Sequence, residues 1–140
     1  MEVERIGAIE KANALHERGF NCAQSVLASC SDYTGLDEEG ALGVSCGFGG
    51  GMRCGEICGA VSGGVMALGL AYPFRQEGDI PAKERINALV EEYTEAFRSR
   101  FGHLRCQELA GDKSVCPRYI AYAAELAETM IQNNQEEERG

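Results

Sequence analysis

The stretch DIPAKERINALVEEYTEAFRSRFG, residues 79–102, decides the fold class. Ile86, Leu89, Val90, Tyr93, Phe97 and Phe101 recur at steps of three and four, which lines one face of a long helix with apolar side chains. Pro81 stands in the first turn, where a missing N–H costs nothing, and Gly102 stops the helix. Working outward, the same period continues on both sides. Upstream, Gly55 to Leu70 carries Ile57, Val61, Val65, Met66 and Leu68, and Pro73 ends it. Asp37-Glu38-Glu39 places acids in the first turn of a short helix that reaches about Ser45. Asn21 caps a helix from Cys22 to about Ser29, with Ala23, Val26 and Leu27 on one side. Val3, Ile6 and Ile9 open a first helix that ends near His16 or Arg18, before Gly19. Downstream, Leu104 to Ala110 reads as a short helix or turn, and Pro117 to about Gln132 as the last helix. Ser31 to Gly35 reads as a turn. Apolar alternation with period two is missing, so no strand is expected. The class is all-α, a compact multi-helix bundle with a glycine-rich loop at one end.

At 140 residues the chain is expected to be one domain, long enough for a core without staples. No linker or repeat divides residues 1–140, and only 132–140 reads as a frayed tail. The net charge of −9 argues against nucleic acid and anionic membrane, both of which need a basic face. Met1-Glu2-Val3-Glu4-Arg5 is acidic and lacks the apolar core of a signal peptide. The run from Ile57 to Tyr72 is too short and glycine-rich to span a bilayer. The expected compartment is therefore the cytoplasm, where thiols stay reduced. Seven cysteines there point to metal binding or redox chemistry rather than to a disulfide framework.

Where the cysteines fall matters more than their number. Cys22 follows the cap Asn21. Cys54 and Cys58 fall in the first turns of the helix after the glycine loop, four apart and so on one face. Cys116-Pro117 opens the last helix. Helix starts offer unpaired N–H groups and partial positive charge, both of which favour thiolate. Arg53, Arg105 and Arg118 are cations beside Cys54, Cys106 and Cys116. Cys106 and Cys116 bracket the polar loop Gly111-Asp112-Lys113-Ser114 and could close on one ion or one disulfide. Cys30 and Cys46 read as small buried apolar residues. His103 and His16 read as cations at helix C-termini. Gly47-Phe48-Gly49-Gly50-Gly51 lacks the Lys-Ser/Thr of a phosphate loop, so its N–H groups are expected to surround a sulfur or a cluster. Gly55, Gly59 and Gly63 leave one helical face bare, for another backbone, a cofactor or a second copy of the chain.

The chain resembles the family of redox-active proteins named for its cysteine pattern, C_GCAxxG_C_C. The matching stretches are Gly19-Phe20-Asn21-Cys22-Ala23-Gln24, Gly47 to Met52, Glu56-Ile57-Cys58-Gly59-Ala60-Val61-Ser62-Gly63, Arg105-Cys106-Gln107-Glu108-Leu109 and Cys116. Where the name writes Gly-Cys-Ala, this chain has Cys58-Gly59-Ala60. The resemblance gives the four family positions to Cys22, Cys58, Cys106 and Cys116, with Cys54 a second-tier candidate. The family is similar to a domain of split-Soret cytochromes, which carry an iron–sulfur centre besides their haems. The resemblance therefore implies an iron–sulfur cluster, most simply 2Fe–2S, on Cys22, Cys58, Cys106 and Cys116. Gly49, Gly50 and Gly51 would supply N–H groups around it. Electron transfer to a redox partner protein would follow. Two other chemistries stay open: a thiol–disulfide oxidoreductase or sensor, with Cys106/Cys116 or Cys54/Cys58 as the working pair, and structural zinc in an interaction module. A homodimer across the bare glycine face is compatible with the sequence.

Overall fold

The computed structural model describes residues 7–109 and 116–139, and the regular elements among them are helices joined by short turns and loops. The helices are α1 (Ala8–Glu17), α2 (Cys22–Ser29), α3 (Ser31–Thr34), α4 (Glu38–Ser45), α5 (Gly59–Ala71), α6 (Ile80–Phe101), α7 (Cys106–Leu109) and α8 (Cys116–Arg139). Among the described residues there is no strand, only an isolated antiparallel bridge between Ile57 and Arg105. The all-α bundle expected from the periodicity is the architecture found.

The central element is α2, packed against α1, α4, α5 and α8. It is buried on more than the expected side, because Ser25 and Ser29 lie inside with Ala23, Val26, Leu27 and Ala28. Two hydroxyls in a core must find acceptors. Ser25 Oγ donates to Asn21 O at 2.8 Å and Ser29 Oγ to Val26 O at 2.6 Å, so each is satisfied within its own helix. The glycines of α5 let it lie close to α2. A Cβ on Gly63 would stand 2.7 Å from Ala23 O, and one on Gly64 would stand 2.0 Å from the Tyr93 hydroxyl. That hydroxyl donates to Ala60 O at 3.1 Å, which joins α6 to α5. Gly59 and Gly63 of the bare face are thus covered by α2 of the same chain, while Gly55 lies against Gln107.

The stripe of α6 packs as the sequence predicts, with Leu89, Tyr93 and Phe97 buried. Phe97 and Phe101 meet Tyr119 and Tyr122 of α8, and the Phe101–Tyr119 ring centroids are 4.7 Å apart, edge to face. Glu128 of α8 reaches back to α1 and α3. Its carboxylate accepts from Ala8 N at 3.2 Å and from the Tyr33 hydroxyl at 3.0 Å.

Several boundaries differ from the expectation. Gly7 is the N-cap of α1, and the proposed start at Val3 and Ile6 lies outside the described residues. Residues 31–34 form one helical turn, closed by Gly35 at φ +75°. The last helix, expected to end near Gln132, runs to Arg139. The largest correction concerns α5, which begins at Gly59 rather than Gly55. Gly50, Gly51, Met52 and Arg53 all hold left-handed geometry, with φ of 64°, 61°, 59° and 63°. They form a wide turn that Glu56 N closes onto Gly51 O at 3.0 Å. The chain then runs extended past Arg105 before α5 starts.

Candidate functional site

Asn21 sets the first wall of the site. Its Oδ1 accepts from Gln24 N at 2.9 Å, and the Gln24 side chain accepts from Asn21 N at 3.0 Å, a reciprocal cap that fixes Cys22 as the first residue of α2. Asn21 Nδ2 also donates to Cys46 O at 3.0 Å, and Gln24 Nε2 to Leu42 O at 3.1 Å. These bonds draw the glycine loop over the start of α2. Gly49 lies so close that a Cβ there would meet Asn21 Cγ at 2.6 Å, and the N–H of Gly50 donates to the Cys22 sulfur.

The second wall is the start of α5. Cys58 is its N-cap, held by Cys58 N donating to Leu104 O at 2.7 Å. On the other side of the bridge, Cys106 N donates to Glu56 O at 2.6 Å. Gly51 is required here, because a Cβ would stand 2.4 Å from Glu56 O and 2.8 Å from Cys106 Cβ. Cys106 opens α7 and Cys116 opens α8. Tyr119 of α8 donates its hydroxyl to Leu109 O at 2.7 Å, which joins the two.

Cys22, Cys58, Cys106 and Cys116, far apart in sequence, line one cavity of about 390 Å³. Gly50, Gly55, Arg53, His16, Phe20 and Tyr119 complete much of its wall. No three His, Cys, Asp or Glu side chains among the described residues stand close enough to hold a metal ion as they are placed. The loop Gly111-Asp112-Lys113-Ser114 between Cys106 and Cys116 lies outside the described residues.

Two of the thiols act on each other. Interaction with the Cys58 thiol favours charge on Cys22 and outweighs the burial that opposes it. With N–H groups of Gly50, Ala23 and Cys22 itself adding to it, the Cys22 thiol is pulled down to about 6. Cys58 moves the other way, because the same interaction and its own burial both favour its neutral thiol. Alkylation of Cys22 in the metal-free protein is therefore expected to rise through pH about 6. An ordinary thiol rises through about 8.5. Mass-resolved labelling with iodoacetamide across pH 5–9 reads this directly, and a midpoint near the ordinary value would contradict the interaction.

The other cysteines are placed differently. Cys30 is fully buried in the core, where burial pushes its thiol up to about 11, as the bland reading expects. Cys46 is exposed at the end of α4, which corrects the same reading there. Cys54 is exposed in the wide turn, its thiol 3.4 Å from Gly51 O. It does not line the cavity with Cys58, and the two do not share a helical face, because α5 starts after both. His103 pairs with Glu108 at 2.6 Å rather than capping α6. Arg105 is held by Glu56 and Glu108, both at 3.2 Å, so its charge is directed to carboxylates. Arg53 lines the cavity rather than serving only Cys54. Phe20, Tyr119 and His16 are wall residues that the cysteine pattern does not announce. The signal for the first two is proximity, since Phe20 precedes Cys22 by two and Tyr119 follows Cys116 by three on one helix.

The family model described as "Putative redox-active protein (C_GCAxxG_C_C)" matches residues 20–130. No curated protein and no solved structure matches the chain. No helix among the described residues is long and apolar enough to cross a membrane.

Proposed function

The chain belongs to the C_GCAxxG_C_C family of redox-active proteins, and from that membership we propose that it carries electrons on an iron–sulfur cluster held by Cys22, Cys58, Cys106 and Cys116. One observation carries this reading: four cysteines from four separate segments line the same cavity. Four thiolates are the usual complement of a 2Fe–2S or 4Fe–4S centre. By type and number the four thiols suit such a group, once the sulfurs draw in from the positions the structure gives them. Bound there, the cluster would supply one-electron redox chemistry for exchange with a partner protein.

The chain's own contribution would be electrostatic and positional. The Gly50 N–H already points at the Cys22 sulfur, and the starts of α2 and α5 add partial positive charge at Cys22 and Cys58. Donors of this kind stabilise a negatively charged thiolate centre and tune its potential. The Ile57–Arg105 bridge ties the Cys58 segment to the Cys106 segment, so two of the ligands would be held at a fixed separation.

The test is a visible spectrum with iron and acid-labile sulfide assays on protein purified without oxygen. The expected result is charge-transfer absorption with iron and sulfide in matching amounts. A colourless, iron-free protein that resists reconstitution would overturn the reading, and stoichiometric zinc in its place would assign the four thiolates to zinc.

A further inference from the structure

Cys22 and Cys58 are placed for a reaction that needs no metal. Both thiols line the same cavity, at the starts of helices that pack together. Independently, the Cys22 sulfur lies over Gly59, the residue after Cys58, at 2.5 Å from where a Cβ would be. The two side chains come from the starts of two packed helices, so their approach is built into the α2–α5 contact. They are also unequal. Cys58 is only 6% exposed, whereas Cys22 is half-buried. Both face the cavity, whose wall includes Phe20, Leu109 and Tyr119. A cavity of about 390 Å³ is of a size to take up much of a small molecule.

We propose that the cluster-free protein reduces low-molecular-weight disulfides in this cavity, with Cys22 as the attacking sulfur and Cys58 as the resolving one. The Cys22 thiolate attacks one sulfur of R–S–S–R. A bond forms between Cys22 and that sulfur, the S–S bond of the substrate breaks, and RS⁻ leaves and takes a proton. Cys58, deprotonated in turn, attacks the Cys22 sulfur of the mixed disulfide. A Cys22–Cys58 bond forms and the second RS⁻ leaves. The substrate gains two electrons and becomes two thiols, while the protein dithiol becomes one disulfide. This activity goes beyond the cluster reading and does not depend on it. Its oxidised product would withhold two of the four sulfurs from a metal, so the two states exclude each other.

The experiment uses the full-length, metal-free, pre-reduced chain with Cys46→Ser and Cys54→Ser to silence the exposed thiols, given oxidised glutathione without oxygen. Thiol release, intact mass and peptide mapping are followed together. The expected result is a transient glutathione adduct on Cys22, then a Cys22–Cys58 cross-link with two glutathione thiols released per chain. Adding Cys58→Ser should stop the reaction at the adduct with one thiol released, and adding Cys22→Ser should slow release at least about tenfold, given the dependence on the attacking thiolate. A cross-link formed only elsewhere, no cross-link at all, or an undiminished rate in Cys22→Ser would overturn the proposal. Peptide mapping of the chain with both sulfurs intact decides the matter even if a single variant folds poorly. Iron and sulfide assays on untreated protein test the cluster separately, so failure of one reading is not failure of the other.

Discussion

Gly59→Ala is expected to cost the fold about 1–3 kcal/mol, the usual penalty for forcing a methyl into a packed contact, and to part Cys22 from Cys58. The new Cβ would stand 2.5 Å from the Cys22 sulfur, 3.0 Å from Phe48 O and 3.1 Å from Ala23 N. Two of these are backbone atoms and cannot rotate away. Either α5 shifts off α2 or Cys22 turns aside, and both responses move the two thiols apart. The Cys22 alkylation midpoint should then move up from about 6 toward the ordinary thiol value. Gly69→Ala is the control on the same helix. Nothing stands within 4 Å of its Cβ position, so alanine there should stabilise by about 0.5–1 kcal/mol through propensity alone. Urea denaturation of the two variants should therefore shift in opposite directions. Equal shifts would mean that the α2–α5 contact is not as close as described.

The same contact shows what could be read from residues alone. The stripe of α6 was legible because Leu89, Tyr93 and Phe97 repeat with the helical period and bury as that period demands. The depth of α2 was not. Ser25 and Ser29 read as polar surface, and only their bonds to Asn21 O and Val26 O explain how they fit the core. The start of α5 was misplaced for a different reason. Met52 and Arg53 are residues that disfavour left-handed geometry, so nothing local announces the wide turn. It is held by Glu56 N on Gly51 O and by the bridge to Arg105, a partner far along the chain.

For the cysteines, local signals placed the helix starts. The Asn21 cap and the Cys116-Pro117 pair are short-range features, and Cys22 and Cys116 do open helices. Spacing misled at Cys54 and Cys58, since four residues imply one face only if both lie on a helix. Convergence of Cys22, Cys58, Cys106 and Cys116 on one cavity is a tertiary fact. The sequence favours those four by their places at helix starts, and the family resemblance makes them one set. The approach of Cys22 to the Cys58 segment has no local signal, because it depends on Gly59 and Gly63 letting two backbones meet.

Cys58→Ser and Cys30→Ser should give opposite results, and that contrast tests the ligand assignment more sharply than either variant alone. Serine at 58 keeps the N-cap of α5, and a hydroxyl caps a helix well, so the fold should hold. It removes one of four thiolates from the cavity, and bound iron and sulfide should fall to background. Serine at 30 does the reverse. Cys30 is fully buried, with the Ser29 hydroxyl 3.8 Å from its sulfur. Exchanging a thiol for a more polar hydroxyl there should cost about 1–3 kcal/mol. Iron and sulfide should stay at the level of the unaltered protein, because Cys30 lies in the core and does not line the cavity. Metal content measured alongside thermal unfolding separates loss of a ligand from loss of the fold. A Cys58→Ser protein that keeps full iron and sulfide would remove Cys58 from the ligand set. A Cys30→Ser protein that folds stably and yet loses its iron would place the centre in the core, away from the helix starts at Cys22 and Cys58.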